Sequence, residues 1–249
     1  MAVSVDTVYQ KVLALANKEQ RGYITPQEFN LFADHAQKEI FEQYFYDVNQ
    51  FKRVPGNNTN YSDMINNLEE KISIFEVYDK EVSVSNQWGD IILGDDITDL
   101  YRLGMVRVDY NSEPSHRVAE EIQLKDLNIY GDSPLTKNSK KRPVYTRYNT
   151  VSGRKARIKI YPYPSQNSSV DKVLISYVKK PIAPKWGYVV INDKPLYNSS
   201  SSIDFDLHPA EETELIYRIL GLSGVAIEKP QLTQVAAGLQ GAQIQQEKQ

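Results

Sequence analysis

The sequence predicts an α+β subunit, and three observations carry that expectation. Over residues 1–79 apolar side chains recur at helical spacing; from Lys80 the period falls from about 3.6 to about 2; at Pro209 a helical pattern returns. The order implies an N-terminal helical region (1–79), a β-rich region (80–207) and a C-terminal helix and tail (208–249) within one integrated subunit. The C-terminal helix is expected to pack back on the N-terminal helices, and the tail to extend.

Residues 4–17 put Val5, Val8, Tyr9, Val12, Leu13 and Ala16 on one helical face, with Ser4 as a cap. In GYITPQEFN, Thr25 caps a second helix, Pro26 takes its first turn, and Glu28 sits three residues on to complete a capping box. Ile24 and Phe29 form the hydrophobic staple. The stripe Phe29, Ala33, Ala36, Ile40, Tyr44 and Val48 carries that helix over roughly six turns, until Pro55-Gly56 stops it. A third helix is marked by Ile65, Leu68, Ile72 and Phe75 and ends near Tyr78.

Alternation in EVSVS, MVRVDY, ARIKIYP, KVLISYV and IDFDL reads as strands separated by Gly, Pro, Asn and Ser. Asp95–Leu103 and Glu120–Leu127 read as short helical turns among them. The last helix starts at Pro209, has Glu211, Glu212 and Glu214 near its positive end and Leu215, Ile216, Ile219 and Leu220 as its apolar face, and ends at Gly221 or Gly224. Another helical stretch is expected after Pro230. GLQGAQIQQEKQ has too few large apolar groups to fold alone, so a neighbouring chain is expected to order it.

Composition removes several function classes. With no cysteine there are no disulfides, thiolate nucleophiles or cysteine-based zinc sites, and three histidines (His35, His116, His208) are scant material for a metal centre or a general-base network. The opening MAVSVDTVYQ lacks the basic start and apolar run of a secretory signal, and no run of about 18 apolar residues occurs, so no membrane partner is expected. A net charge of −3 argues against gripping nucleic acid over the whole surface. Seventeen tyrosines against seven phenylalanines suit surfaces that are apolar and wet together, or tyrosine-bearing pleated sheets.

Two acidic patterns invite metals. NKEQRGYITPQEF places Gly22, Ile24, Glu28 and Phe29 as in a calcium loop beginning at Asn17, but Arg21 falls at the fifth position, where a guanidinium repels the ion; the capping box already accounts for Glu28. Asp90, Asp95, Asp96 and Asp99 cluster in WGDIILGDDITDL without a defensible loop spacing and read as turns and caps. No phosphate loop, dinucleotide fingerprint, GxSxG or HExxH is present, and GLSGV at 221–225 has the wrong spacing. The carboxylate pairs Glu69-Glu70, Glu120-Glu121 and Asp204/Asp206 keep a glycan-acting enzyme open as a rival, beside a calcium-binding protein. The expectation is no catalytic residue, no metal and no cofactor.

Between Asp132 and Asp171 there is no acidic residue, while Lys137, Lys140, Lys141, Arg142, Arg147, Arg154, Lys155, Arg157 and Lys159 accumulate, interleaved with Tyr145, Tyr148, Tyr161 and Tyr163. These nine cations are the candidate protein interface, facing an acidic neighbour; a solvated loop ranks next and sequence-specific DNA binding last.

Residues 22–51, GYITPQEFNLFADHAQKEIFEQYFYDVNQF, resemble virion structural proteins of tailed phages, especially ring proteins of the crAss-like bacteriophages. Further matching blocks are Leu127–Tyr145 with its PVY, YVKKPIAPKW at 177–186, and DLHPAEETELIYRILGLSGVAI at 206–227, so the resemblance runs through most of the chain. It implies a head-to-tail connector (neck) subunit that stacks as a homo-oligomeric ring, usually twelve-fold, beneath the portal. Portal protein and other neck or tail ring proteins would be its partners, and passing genomic DNA a non-specific one. The location implied is the virion neck or tail, assembled in the bacterial host cytoplasm. Another virion tail structural role is the nearest alternative. The family supplies no catalytic motif to carry over.

Overall fold

The computed structural model describes residues 3–17, 24–53, 59–111, 116–149, 156–167 and 170–226, with 234, 237–239 and 241–242 in the C-terminal stretch. The fold is α+β, as expected, and divides into two compact units: a helical unit, 1–74 with 181–249, and a β unit, 75–180. Sequence patterning puts the boundaries at 79/80 and 207/208; packing puts them at 74/75 and 180/181. The difference at the far boundary arises because 181–207, though extended, buries Trp186, Phe205 and Leu207 in the helical unit.

In the helical unit, α1 (Val5–Asn17) buries Val5, Val8, Tyr9, Val12 and Ala16. Ser4 caps it, its side-chain oxygen accepting from Thr7 N at 3.5 Å. The 28 residues of α2 (Pro26–Arg53) begin with the expected box: Glu28 Oε2 accepts from Thr25 N at 2.9 Å, and Thr25 Oγ1 accepts from Glu28 N at 3.3 Å. The Thr25 hydroxyl, donating to Glu28 Oε2 at 2.7 Å, and then the Thr25 amide hold the Glu28 carboxyl below its ordinary pKa. Ile24 and Phe29 are both buried, and the Phe29 ring lies 4.7 Å from that of Tyr9, whose hydroxyl donates to Ile24 O.

A third helix, α3 (Thr59–Ser73), stops before the expected Tyr78. Phe75 is buried, but Glu76 already starts strand β1 (Glu76–Val82); the helical stripe and the first strand residues share apolar side chains, so the pattern runs past the true end. The last helix, α6 (Glu212–Ala226), follows a single turn of tighter helix at Pro209–Glu211, which His208 caps by accepting from Ala210 N. It runs through Gly221 and Gly224 rather than ending there. Leu215, Ile216, Ile219 and Leu220 are buried, and α6 packs on α1 and α2, as expected of the C-terminal helix. In the tail, the described residues at 234, 237–239 and 241–242 are helical, and their described side chains are exposed; the rest of the expected stretch after Pro230 lies outside the described residues.

The β unit is built from two four-stranded sheets. One sheet joins β1 to β8 (Asp171–Lys179), β8 to β3 (Leu100–Tyr110) and β3 to β4 (Arg117–Val118), all antiparallel. The other orders β2 (Asp90–Ile92), β7 (Arg157–Tyr161), β6 (Val144–Tyr148) and β5 (Glu120–Glu121), with β5 parallel to β6. Burial alternates along β7, β8 and the second half of β3, and Val106, Val108, Tyr110, Ile158, Ile160, Val173 and Ile175 belong to one buried cluster shared by both sheets. The short helices α4 (Leu93–Asp96) and α5 (Leu127–Asp132) replace the expected turns at 95–103 and 120–127, because Leu100–Leu103 and Glu120–Glu121 are recruited as strand. IDFDL is not a strand: Ile203 and Phe205 make isolated bridges to Lys185 and Val3.

Back in the helical unit, a separate hairpin pairs β9 (Tyr188–Ile191) with β10 (Lys194–Tyr197). Its two-residue turn, Asn192-Asp193, has φ of 51° and 59°, the left-handed pair that a tight hairpin of this twist requires.

Candidate assembly surfaces

Among the described cations of the basic stretch, Arg142, Arg147 and Lys159 stand beside acids. Arg142 Nη2 lies 3.2 Å from Glu120 Oε2, and Arg147 Nη2 lies 2.8 Å from Glu121 Oε2, both acids delivered by β5. Tyr145, on β6 beside β5, donates its hydroxyl to the same Glu121 oxygen at 3.0 Å; burial first and the Glu121 contact next hold that hydroxyl above its ordinary pKa. Lys159 Nζ lies 3.9 Å from Asp90 Oδ1 and sits over the rings of Tyr161 and Tyr163 at 5.8 and 5.5 Å. Lys140 Nζ lies 5.7 Å above the Tyr110 ring. Lys137, Lys141 and Arg142 are exposed, while Arg157 is half-buried beside Tyr148. Arg154 and Lys155 lie outside the described residues.

One sheet face therefore carries an aromatic row with charges beside it. Trp88 meets Tyr163 edge-on at 6.0 Å, and Tyr163 meets Tyr161 at 5.4 Å. Gly89, at φ +73°, makes this possible: a Cβ there would stand 2.7 Å from Ile160 O. Burial, followed by the Asp90 carboxylate, pushes the Tyr148 hydroxyl up to about 12.

The residues weighed for catalysis or metal binding are engaged elsewhere. Asp204 and Asp206 accept from the backbone amides of Val5 and Ile182, and Ser223 donates to Leu220 O inside α6. Asp96 accepts from Ser83, and Asp99 from the Tyr177 hydroxyl. His35 sits 3.2 Å from Glu39 and His116 3.3 Å from Asp109. Of the calcium-loop pattern, residues 18–23 lie outside the described residues, and Glu28 serves Thr25. Among the described residues, no group of three or more His, Asp or Glu converges as a metal site, and no helix is long and apolar enough to cross a membrane.

Two apolar surfaces escaped the sequence reading. The hairpin exposes Val189, Val190, Ile191 and Leu196 at 48, 60, 52 and 51%. Residues 124–135 expose Leu124, Ile129 and Leu135 at 60, 68 and 90%, next to a cavity of about 490 Å³ lined by Glu121, Ile122, Gln123, Leu124 and Arg147. The hairpin had a local signal, two apolar runs flanking Asn-Asp. The second surface had none, since an apolar residue in a turn reads the same whether covered or bare.

No protein-family model and no curated protein matches this chain significantly.

Proposed function

We propose that the chain is a non-catalytic virion structural protein, a ring-forming subunit of the head-to-tail connector of a tailed phage, linking portal to tail around the DNA passage. The observation that carries the reading is where the resemblance falls. GYITPQEFNLFADHAQKEIFEQYFYDVNQF supplies α2, and DLHPAEETELIYRILGLSGVAI supplies α6 with its cap, two helices that pack together. Two of the four resembling blocks thus fall on scaffold helices. Support comes also from the exposed apolar hairpin, since a patch of that kind marks a protein contact more often than a bare surface. The carboxylates, serine and histidines that an enzyme would need are spent on caps, turns and ion pairs.

Subunits would close by head-to-tail contacts, which need two unlike faces per copy. The exposed cations Lys137, Lys140 and Lys141 would add contact with an acidic neighbour. Particle imaging of the purified protein and of its virion tests the reading: closed rings, twelve-fold by expectation, support it, and a chain that stays monomeric at high concentration and is absent from virus particles rejects it. Charge reversal at Lys140, Lys141 and Arg142 is expected to weaken assembly while leaving the fold intact.

A further inference from the structure

Trp88, the tryptophan of the β unit, is 54% exposed, yet its turn is closely ordered. Asn86 Oδ1 accepts from Trp88 N at 2.9 Å and from Asp90 N at 3.2 Å, while Asn86 Nδ2 donates to Asp90 Oδ2 at 2.6 Å. Gly89 N donates to Asn86 O, and Gln166 reaches across to Ser85 O at 3.1 Å. The far end of the aromatic row is fastened too, because Pro162 O accepts from the Tyr110 hydroxyl between Tyr161 and Tyr163. Ordering a turn in this way costs conformational entropy, and here it buries neither the indole nor the Tyr163 ring, which is 43% exposed. Exposed rings held in fixed positions are preorganised for something outside the fold.

We infer that the Trp88–Tyr163–Tyr161 row is a binding platform for a neutral oligosaccharide, whose sugars lay their C–H faces on Trp88 and Tyr163 while Lys159, Asn86 and Gln166 meet the hydroxyls at their rims. The inference goes beyond the ring reading and does not depend on it. The chemistry of the row selects the ligand class. An aromatic face is negative and attracts polarised C–H bonds; a pyranose carries those on its faces and hydroxyls around its edge, so it calls for open rings with polar groups alongside. A broad apolar protein contact fits less well, because the strip is one ring wide and bordered by Asp90 and Lys159, which such a contact would strip of water. Nucleic acid fits less well for two reasons. The rings meet at 84° and 46°, so no parallel pair offers a slot for a flat base. The cations of β7 are also engaged, Lys159 facing the Asp90 carboxylate and Arg157 bonded to Tyr148, where phosphate recognition needs open positive charge.

The full-length chain carrying Trp186→Phe keeps Trp88 as its sole indole, so fluorescence reports the platform directly. Titration with maltohexaose, cellohexaose, mannohexaose and chitohexaose is expected to give a saturable shift in emission with at least one of them, unchanged between low and high salt. Trp88→Ala and Tyr163→Ala, each followed by calorimetry in the otherwise unaltered chain, are expected to weaken that binding about tenfold or more, with the circular dichroism spectrum and urea midpoint preserved. If none of the four sugars binds at millimolar concentration, or if neither substitution moves the affinity, the platform is overturned. Tighter binding of oligothymidylate, falling steeply with salt, or of a polyproline peptide would assign the row to another ligand and overturn it as well. So would loss of assembly in Trp88→Ala from a parent chain that binds no sugar, a result that marks a protein contact.

Discussion

Arg218 in the helical unit and Tyr110 in the β unit are both enclosed by protein, and they stabilise their surroundings in different ways. Arg218 is 9% exposed and reaches across α2 and α6, with its Nε 2.8 Å from Glu214 Oε1, its Nη1 3.3 Å from Glu39 Oε2, and Nη2 bonded to Gln43 and Glu214. Lys71 of α3 joins Glu211 in a second ion pair, where the carboxylate is 1% exposed. The helical unit thus locks its helices with charge. In the β unit tyrosine hydroxyls take part, Tyr110 donating to Pro162 O at 2.6 Å and Tyr177 to Asp99 at 3.1 Å, beside the buried Asp171 carboxylate and a half-buried Arg107–Asp79 pair at 2.7 Å. A charge lock is specific about geometry and intolerant of losing one partner; a neutral hydroxyl in a sheet core is milder in both respects.

That contrast can be broken experimentally, and the two tryptophans help, since Trp88 lies in the β unit and Trp186 in the helical unit. In a Trp88→Phe background, urea unfolding followed by fluorescence reports the helical unit alone. The largest effect is expected for Arg218→Ala, about 3–5 kcal/mol, because the buried Glu214 carboxylate loses the guanidinium; replacing both by apolar residues of like volume should restore most of it. Next comes Tyr110→Phe, read in a Trp186→Phe background, which leaves Pro162 O without its donor and should cost about 1–3 kcal/mol. If the Tyr110 change costs as much as the Arg218 change, the proposed distinction between the units fails. Thr25→Ala removes the α2 cap and should cost about 1 kcal/mol, again reported by Trp186.

Alkaline pH should separate the units without any mutation. Tyr148 and Tyr177 are pushed up to about 12, and Tyr145 and Tyr161 are raised as well, burial being the first cause for each. The sign follows directly: hydroxyls that ionise later in the fold than in the unfolded chain contribute stability that is complete below about pH 10 and is lost as the pH climbs through the folded values. At neutral pH that stability is fully present and does not vary with pH. Between about pH 10 and 12 the β unit should lose stability, with tyrosinate absorbance rising together with the loss of its strand signal.

Much of the architecture was legible locally. Ser4, the Thr25/Glu28 box and His208-Pro209 mark helix starts with chemistry confined to three or four residues, and the buried stripes of α1, α2 and α6 follow their period. Where two cores meet, local pattern fails. Phe75 and Val77 continue the stripe of α3, yet they belong to the β unit, and nothing in their spacing says so. Likewise, 181–207 is extended chain that packs with helices. The ion pairs inside the basic stretch were illegible for a related reason: Glu120, Glu121 and Asp90, the acids beside Arg142, Arg147 and Lys159, come from strands remote in sequence, and only β5–β6 and β2–β7 pairing brings them alongside.

The way the chain enters and leaves the β unit has a practical consequence. Phe75 O accepts from Lys179 N at 2.8 Å, and Glu76 stands opposite Val178, so the first and last residues of 75–180 are laced together as adjacent strands. An insert whose two ends are already stitched imposes almost no spacing demand on its host. Residues 75–180 should therefore behave as a cassette: expressed alone they should fold, and a short glycine-serine splice from Ile74 to Pro181 should leave a trimmed helical protein that can still be made. Lineages sharing this helical host would be free to exchange the cassette wholesale, altering what the protein touches while keeping the frame that carries it.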